Sequence, residues 1–405
     1  MIEPLKKAHA NCYTDRWRIH IPYYVARVVP GFAPIERAYG YYVGFNLLSR
    51  SQESLGNRVE IHTPVNGHLG HDDGSRENTD DGSILREIDG FPCYIHNTPR
   101  PSYLTFPAKL SRALMDSDID LVHSHTRIGL PMSRLGFKRI HLAHLHGLPY
   151  SATETGFGTS TYDIEACTYI RAFLGEVDHV ICYCDGLARR VVELFRLSPS
   201  KVSVIYNGVD PRIYRNGTGG DTIFRESICS GSRPIVLFVG RAEPIKGTKE
   251  FLASLPEIFR EIPDVSVVVV GSGWDRLLGD WDGNGRVTVI PHLDYRKMGD
   301  IYRAADIHVA LTKVYGSQKT TIEAASCGTP VVATDNIDNR KILGNCGFYV
   351  DPKNPEEISA GVISVLRNGC SQRELRHVAE RVRGEFSWEA AALRCQQLYS
   401  RLCDL

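Results

Sequence analysis

Arg241 and Lys246 both fall in Val236-Leu-Phe-Val-Gly-Arg-Ala-Glu-Pro-Ile-Lys-Gly247, where an apolar run gives way to a glycine turn. At a strand end, ahead of a helix N-terminus, this is the chemistry of a diphosphate clamp: fixed cations and free amides facing anionic oxygens. A second segment, Tyr315-Gly-Ser-Gln-Lys-Thr-Thr-Ile-Glu323, sets a polar glycine loop before another helix. The amides from Gly316 through Ser317 and Gln318 to Lys319 can receive anionic oxygens. Glu323, one to two turns into the helix, can accept hydrogen bonds from a ribose diol. Taken singly, two solvated cations and an ordinary capped helix would account for these segments; read together they favour the clamp.

Such residues need strand ends to hold them, and the chain supplies these. Short apolar runs alternate with longer amphipathic stretches, as a parallel sheet with crossover helices demands. Strands are expected at Val59 to Thr63, Leu121 to Ser124, Ile140 to Leu145 and His179 to Tyr183. A second set comprises Ile235 to Val239, Val265 to Val270, Val287 to Ile290, Ile307 to Ala310 and Pro330 to Ala333. Helical periodicity places helices at Glu36 to Leu55, Thr161 to Leu174, Gly186 to Phe195, Thr248 to Phe259, Tyr295 to Ala304, Thr320 to Ser326 and Pro355 to Arg367. His68 to Gly90, rich in Gly, Asp, Asn and Ser, reads as a mobile surface loop. The fold class is therefore α/β, with two Rossmann-like doubly wound parallel sheets facing a cleft. Domains are expected at residues 1–205 and 206–380, with residues 381–405 forming a closing helix.

Composition excludes several classes. The 47 Lys plus Arg balance 47 Asp plus Glu, so no nucleic-acid footprint exists. No apolar run is long enough to span a bilayer and the N-terminus lacks a signal-peptide core, so a cytoplasmic location is expected. Eleven cysteines, an odd number and scattered, fit free thiols.

With Val204-Ile-Tyr-Asn-Gly-Val-Asp210 at the junction, the two segments resemble the retaining family-4 glycosyltransferases, which have two Rossmann domains in the GT-B arrangement. The resemblance extends to Asp120-Leu-Val-His-Ser-His125, His144-Leu-His-Gly147, Asp178-His-Val-Ile181, Tyr302-Arg-Ala-Ala-Asp306 and Phe386-Ser-Trp-Glu389. It implies that Arg241 and Lys246 neutralise the donor diphosphate, Glu323 holds the ribose, His125 touches the donor sugar, and Tyr315 to Lys319 line the donor loop. It also implies a UDP- or GDP-sugar donor bound mainly by the second domain, and a glycan, lipid-linked or small-molecule acceptor on the first. Transfer would retain configuration with no metal and no further cofactor, and the last helix would cross back onto the first domain. Peripheral membrane contact at the inner face is compatible with the aromatic stretch from Tyr23 to Tyr42, which equally suits core or a sugar-site lining.

The chain departs from this pattern in places. The family pairs two Glu eight positions apart, but here Tyr315 stands opposite Glu323. An uncharged phenol there implies a different donor sugar or impaired turnover, the latter making the chain a nucleotide-sugar-binding partner subunit. Ala33 and Pro34 replace glycines expected before Glu36 and Arg37, and Asn336-Ile-Asp-Asn339 replaces a Gly-Gly loop. Lys313 and Lys319 add positive charge near the sugar site, either as solvated lysines or for a donor sugar carrying a carboxylate. His123, His125, His141, His144 and His146 raise a metal site, though strand-end packing accounts for them more simply without accompanying carboxylate or cysteine spacing. Asp118-Ile-Asp120 has metal-type spacing but sits before a strand, where acidic residues are common.

Overall fold

The computed structural model describes residues 23–28, 41–64, 77–78, 83–96, 102–125, 132–148, 170–216, 225–226, 233–279, 281, 283–314 and 318–403. Two sheets form. The first contains β1 (Tyr24–Val28), β2 (Arg58–Pro64), β3 (Glu77–Asn78), β4 (Ile84–Ile88), β5 (Phe91–His96), β6 (Leu121–Ser124), β7 (Ile140–Leu145), β8 (His179–Cys182) and β9 (Val202–Val204). Its order is β3-β4-β5-β2-β1-β6-β7-β8-β9, parallel except for the antiparallel β3-β4-β5 edge. The second contains β10 (Ile235–Val239), β11 (Ser266–Val270), β12 (Val287–Ile290), β13 (Ile307–Ala310), β14 (Val331–Thr334) and β15 (Gly347–Val350), ordered β12-β11-β10-β13-β14-β15 and all parallel.

Helices among the described residues include α1 (Tyr41–Glu53), α2 (Ser102–Leu114), α3 (Asp185–Phe195), α4 (Thr248–Glu261), α5 (Trp274–Leu278), α6 (Met298–Ala304), α7 (Lys319–Cys327), α8 (Ile337–Leu343), α9 (Pro355–Asn368), α10 (Gln372–Glu385) and α11 (Trp388–Cys403). Every expected strand is found within a residue or so of its expected ends. The reading of His68 to Gly90 as one loop is corrected: Ile84–Ile88 pairs with Phe91–His96 across the Asp89-Gly90 turn, with Asp89 at φ 54°. Ile84-Leu-Arg-Glu-Ile88 lacks a period-two apolar pattern, so nothing local sets it apart from the polar residues before it. The expected helix from Glu36 begins at Tyr41 in the described residues, and that from Thr161 is seen only over 170–176. None of the helices among the described residues is long and apolar enough to cross a membrane.

In open α/β sheets ligands settle where the strand order reverses, outside the carboxyl ends of the strands. That point lies between β1 and β6 in the first sheet and between β10 and β13 in the second. The two are joined through Ile205 to Tyr214 and by the returning α11. Val209 N donates to Phe386 O at 2.8 Å, and a bridge joins Val209 to Ser387. Gly208 lies so close that a Cβ there would sit 2.2 Å from Trp388 N. From this crossing α11 lays Trp388, Ala391, Ala392, Cys395, Leu398 and Tyr399 on the first sheet, against Val25, Leu121 and Leu142.

A second tie joins the halves. The altered Asn336–Asn339 segment is the capped first turn of α8, and its Asp338 is 1% exposed and accepts from the amides of Asp185 (2.8 Å) and Gly186 (3.1 Å) at the N-terminus of α3. Tyr206 Oη lies 2.6 Å from Asp338 and 2.7 Å from Asp185, and Lys341 Nζ is 2.5 Å from Asp185. A carboxylate at a helix N-terminus satisfies orphan amides and opposes the positive dipole end. Asp338→Ala strands those donors and should cost on the order of 2 to 3 kcal/mol. A melting temperature unchanged from wild type would show that the tie contributes nothing.

Candidate functional site

β10 ends at Val239, and the chain turns through Gly240 and Arg241 into a single 3-10 turn, Pro244–Lys246, before α4 begins. Gly247 makes this possible. It sits at φ 72°, and a Cβ there would meet Leu311 Cβ at 2.6 Å and its carbonyl oxygen at 2.7 Å. Arg241 is exposed and pairs with Glu243 at 2.7 Å. Lys246 lies inside the loop, its stem beside Gly240. Burial draws its pKa down to about 8, aided by the nearby Arg241 guanidinium and opposed by Glu243. The two cations are thus brought together at the second sheet's switch point, as the spacing requires. Lys313 is held beside the same loop, its amide donating to Ile245 O at 2.9 Å, and its largely buried Nζ pairs with Glu250 on α4 at 2.7 Å rather than standing in solvent.

Glu323 is buried in the second turn of α7, and the structure shows partners that the motif does not reveal. It accepts from Tyr214 Oη at 3.0 Å and Tyr302 Oη at 2.8 Å, and Lys319, one turn earlier, is 3.6 Å away. Two phenols use about half of the carboxylate's acceptor sites. Both tyrosines were in view, Tyr214 in Asp210-Pro-Arg-Ile-Tyr214 and Tyr302 in α6, but pattern alone assigns them to the core. Gln318 is buried, and its Oε1 has no hydrogen-bond partner among the described residues. Lys319 also stands 5.8 Å from the Tyr295 ring centroid. Tyr315, Gly316 and Ser317 lie outside the described residues, as do Ala33 and Pro34.

Across the cleft, β1 and β6 pair Arg27 with His123, and period-two alternation puts Arg27, His123, His125, His144 and His146 on the sheet face that α1 and α11 cover. Arg27 is fully buried. Its Nη1 bonds His125 Nε2 and its Nη2 bonds Gln52 Oε1 of α1. His125 Nδ1 lies 2.9 Å from His146 Nε2, and His123 Nε2 lies 3.2 Å from His144 Nδ1. His123 Nδ1 is 2.6 Å from Tyr399 Oη, which accepts from Gln52 Nε2 at 2.8 Å. Burial holds all four imidazoles neutral, with the Arg27 charge lowering each further; His146 is drawn down to about 4.

His123, His125 and His144 form a group with the size of a metal site, their nitrogens within 4.8 Å of one another. The Arg27 guanidinium already bonds His125 Nε2, and a buried cation beside that nitrogen opposes a second one. His141 faces the other side of the sheet, bonded to Ser124 Oγ at 2.6 Å. Asp120 is structural, accepting from the Tyr24 amide at 2.7 Å. A cavity between the halves is lined by His125, His144 and His146 from the first, by Asn207 and Trp388 at the crossing, and by Lys319 from the second.

Comparison with known proteins agrees in both halves. Residues 45–213 match the model described as Glycosyltransferase Family 4, and residues 233–368 match Glycosyl transferases group 1. The D-inositol 3-phosphate glycosyltransferase of Segniliparus rotundus is 28% identical over 288 residues, 67% of this chain and 64% of that protein, so the match spans less than two thirds of this relative's length. Mycobacterium tuberculosis glycogen synthase is 25% identical over 301 residues, covering 69% of this chain and 68% of the relative. Among solved structures, sucrose-phosphate synthase from Thermosynechococcus elongatus superposes with a TM-score of 0.71 at 20% identity, over 94% of this chain and 99% of that one. Anabaena HepE in complex with UDP-glucose gives 0.69 at 15% identity, over 94% and 100%. At such identities the structural likeness establishes the fold.

Proposed function

Because the chain belongs to the GT-B glycosyltransferases, with family-4 sequence in its first half and group 1 sequence in its second, we propose that it moves a sugar from a UDP- or GDP-sugar to a hydroxyl of a glycan, lipid-linked or small-molecule acceptor, retaining anomeric configuration without a metal. Residues 1–205 would carry the acceptor side, residues 206–380 the donor, and residues 381–405 the tie between them. The observation that carries the reading is the convergence of Arg241 and Lys246 on one loop at the second sheet's switch point.

Breaking the bond between the anomeric carbon and the donor phosphate leaves negative charge on the diphosphate and positive charge on the sugar ring. Arg241, released from Glu243, and Lys246 stabilise the first as it develops. The acceptor oxygen bonds the anomeric carbon on the face the diphosphate leaves, and its proton passes to a diphosphate oxygen, so no side-chain nucleophile is required. Holding the hydroxyl beside the departing phosphate lowers the barrier by removing translational freedom. His125 would contact the sugar from the first sheet, and Glu323 would hold the ribose. The donor loop would run from Tyr315 to Lys319.

Arg241→Ala and Lys246→Ala should each weaken nucleotide binding by about ten- to a hundredfold, the loss of a charge-assisted contact. With Lys246 titrating near 8, affinity should hold steady below that pH and decline above it as the ammonium is lost. The decisive experiment measures thermal shift and nucleotide release with UDP-, GDP- and ADP-sugars, with and without chelator, beginning with UDP-glucose. A stabilising donor that releases its nucleotide despite chelator supports the reading. Stabilisation without release in a broad acceptor set would make the chain a binding subunit, and no stabilisation by any donor would overturn the assignment.

A further inference from the structure

The hydrogen bonds beneath the cleft have a direction that can be read from their ends. Arginine can only donate, so His125 Nε2 and Gln52 Oε1 both accept from Arg27. His125 therefore carries its proton on Nδ1 and donates to His146 Nε2, which leaves the His146 proton on Nδ1. With its oxygen turned to Arg27, Gln52 presents Nε2–H to Tyr399 Oη. The phenol, kept protonated by burial, then donates to His123 Nδ1, and His123 donates from Nε2 to His144 Nδ1. His144 must hold its proton on Nε2, and that nitrogen is buried with no partner among the described residues. Both chains thus run outward from Gln52 and Arg27 and end as imidazole donors on residues that line the cavity between the halves.

A donor with nothing to receive it forfeits a hydrogen bond's worth of stability, and its natural complement is a group that only accepts. The charge balance points the same way. Arg27 is a buried cation whose bonded partners are neutral, and Lys319 stands on the opposite wall, shared with Glu323. We propose that His144 Nε2–H and His146 Nδ1–H form a subsite for an anionic oxygen, so that the substrate bound between the halves carries an acidic group, a carboxylate or a phosphate ester. Arg27, Gln52 and Tyr399 are its positioning residues: they touch no substrate but fix which nitrogen of each imidazole bears hydrogen. The inference rests on the glycosyl-transfer reading and names the substrate class of that same cleft.

The test uses the full chain with 15N-labelled histidine. Long-range 1H–15N spectra should show His144 protonated on Nε2 and His125 and His146 on Nδ1 at pH 7.5. Titration with inorganic phosphate and with acetate, against glycerol as a neutral control, should move the His144 and His146 ring signals for at least one anion and not for glycerol. Whichever anion acts at lower concentration tells a phosphate ester from a carboxylate. Tyr399→Phe, which removes the donor to His123, should weaken anion binding about five- to tenfold. If that variant does not fold, the wild-type tautomers and titrations decide alone. His144 protonated on Nδ1, or ring signals that neither anion moves, would overturn the proposal. UDP binding, followed in the same samples, separates the two readings: UDP bound with the imidazoles unmoved sinks only the subsite, whereas no nucleotide binding sinks the transferase assignment.

Discussion

Between pH 7 and pH 5 the protein is expected to lose most of its stability. Burial draws His141 to about 3 and His146 and His308 to about 4, so in the folded chain these rings stay neutral well below pH 6. Once unfolded they would take up protons as the pH falls below 6.5. Their contribution is therefore complete above 6.5 and is lost progressively as pH falls towards 4, the direction for a base whose folded pKa is depressed. At pH 5 each ring gives up about 2 kcal/mol, and three together approach the net stability of a typical domain, roughly 5 to 15 kcal/mol. His123, His125 and His144 are shifted the same way and add to it. Melting temperature measured in half-unit steps of pH should drop steeply from pH 6.5 downwards. A value constant to pH 4.5 would mean that these rings are hydrated.

Gly208→Ala should be severely damaging, because the added methyl has no room at the crossing. The added carbon would stand 2.2 Å from Trp388 N, 2.4 Å from Ser387 C and 2.6 Å from Trp388 Cα. All three are main-chain atoms, so no rotamer change relieves the clash and the crossing strand must move. Moving it breaks the Val209 to Phe386 bond and lifts Trp388 from the α1 surface, where Gly44 leaves room for its ring. A cost of about 4 kcal/mol or more is expected, appearing as a melting temperature lower by roughly 10 °C. A loss of less than 2 °C would show that the crossing yields freely.

Much of the architecture could be read from the residues because buried parallel strands announce themselves: Ile235-Val-Leu-Phe-Val239 and Val267-Val-Val-Val270 are continuous apolar runs. β1 escaped because Tyr24-Val-Ala-Arg-Val28 carries a charge in its middle. That anomaly was the available signal, since a fully buried arginine in a strand needs special partners. Those partners, Gln52 and His125, lie 25 and 98 positions away, beyond what local pattern resolves. The Arg241 and Lys246 loop was legible because cations, glycine turn and helix start are adjacent. The phenols on Glu323 were not, because Tyr214 and Tyr302 reach it from separate elements. Asn336–Asn339 read as a loss against the family pattern, yet Asp338 supplies a carboxylate to the opposite half.

The return of α11 sets an order of events in time. The face of the first sheet holding Val25, Leu121 and Leu142 is closed by Trp388, Leu398 and Tyr399. Asn57 Nδ2 waits for Gln396 Oε1, and Tyr23 Oη for Ser400 Oγ. During synthesis at about 5 to 20 residues per second, that face stands open for roughly 20 to 70 seconds after β1 emerges. Over that interval the nascent first half offers an uncovered apolar surface with a buried-type arginine at its centre, and it is then a client for any chaperone that recognises one. The exposure ends only when α11 has been made and has docked.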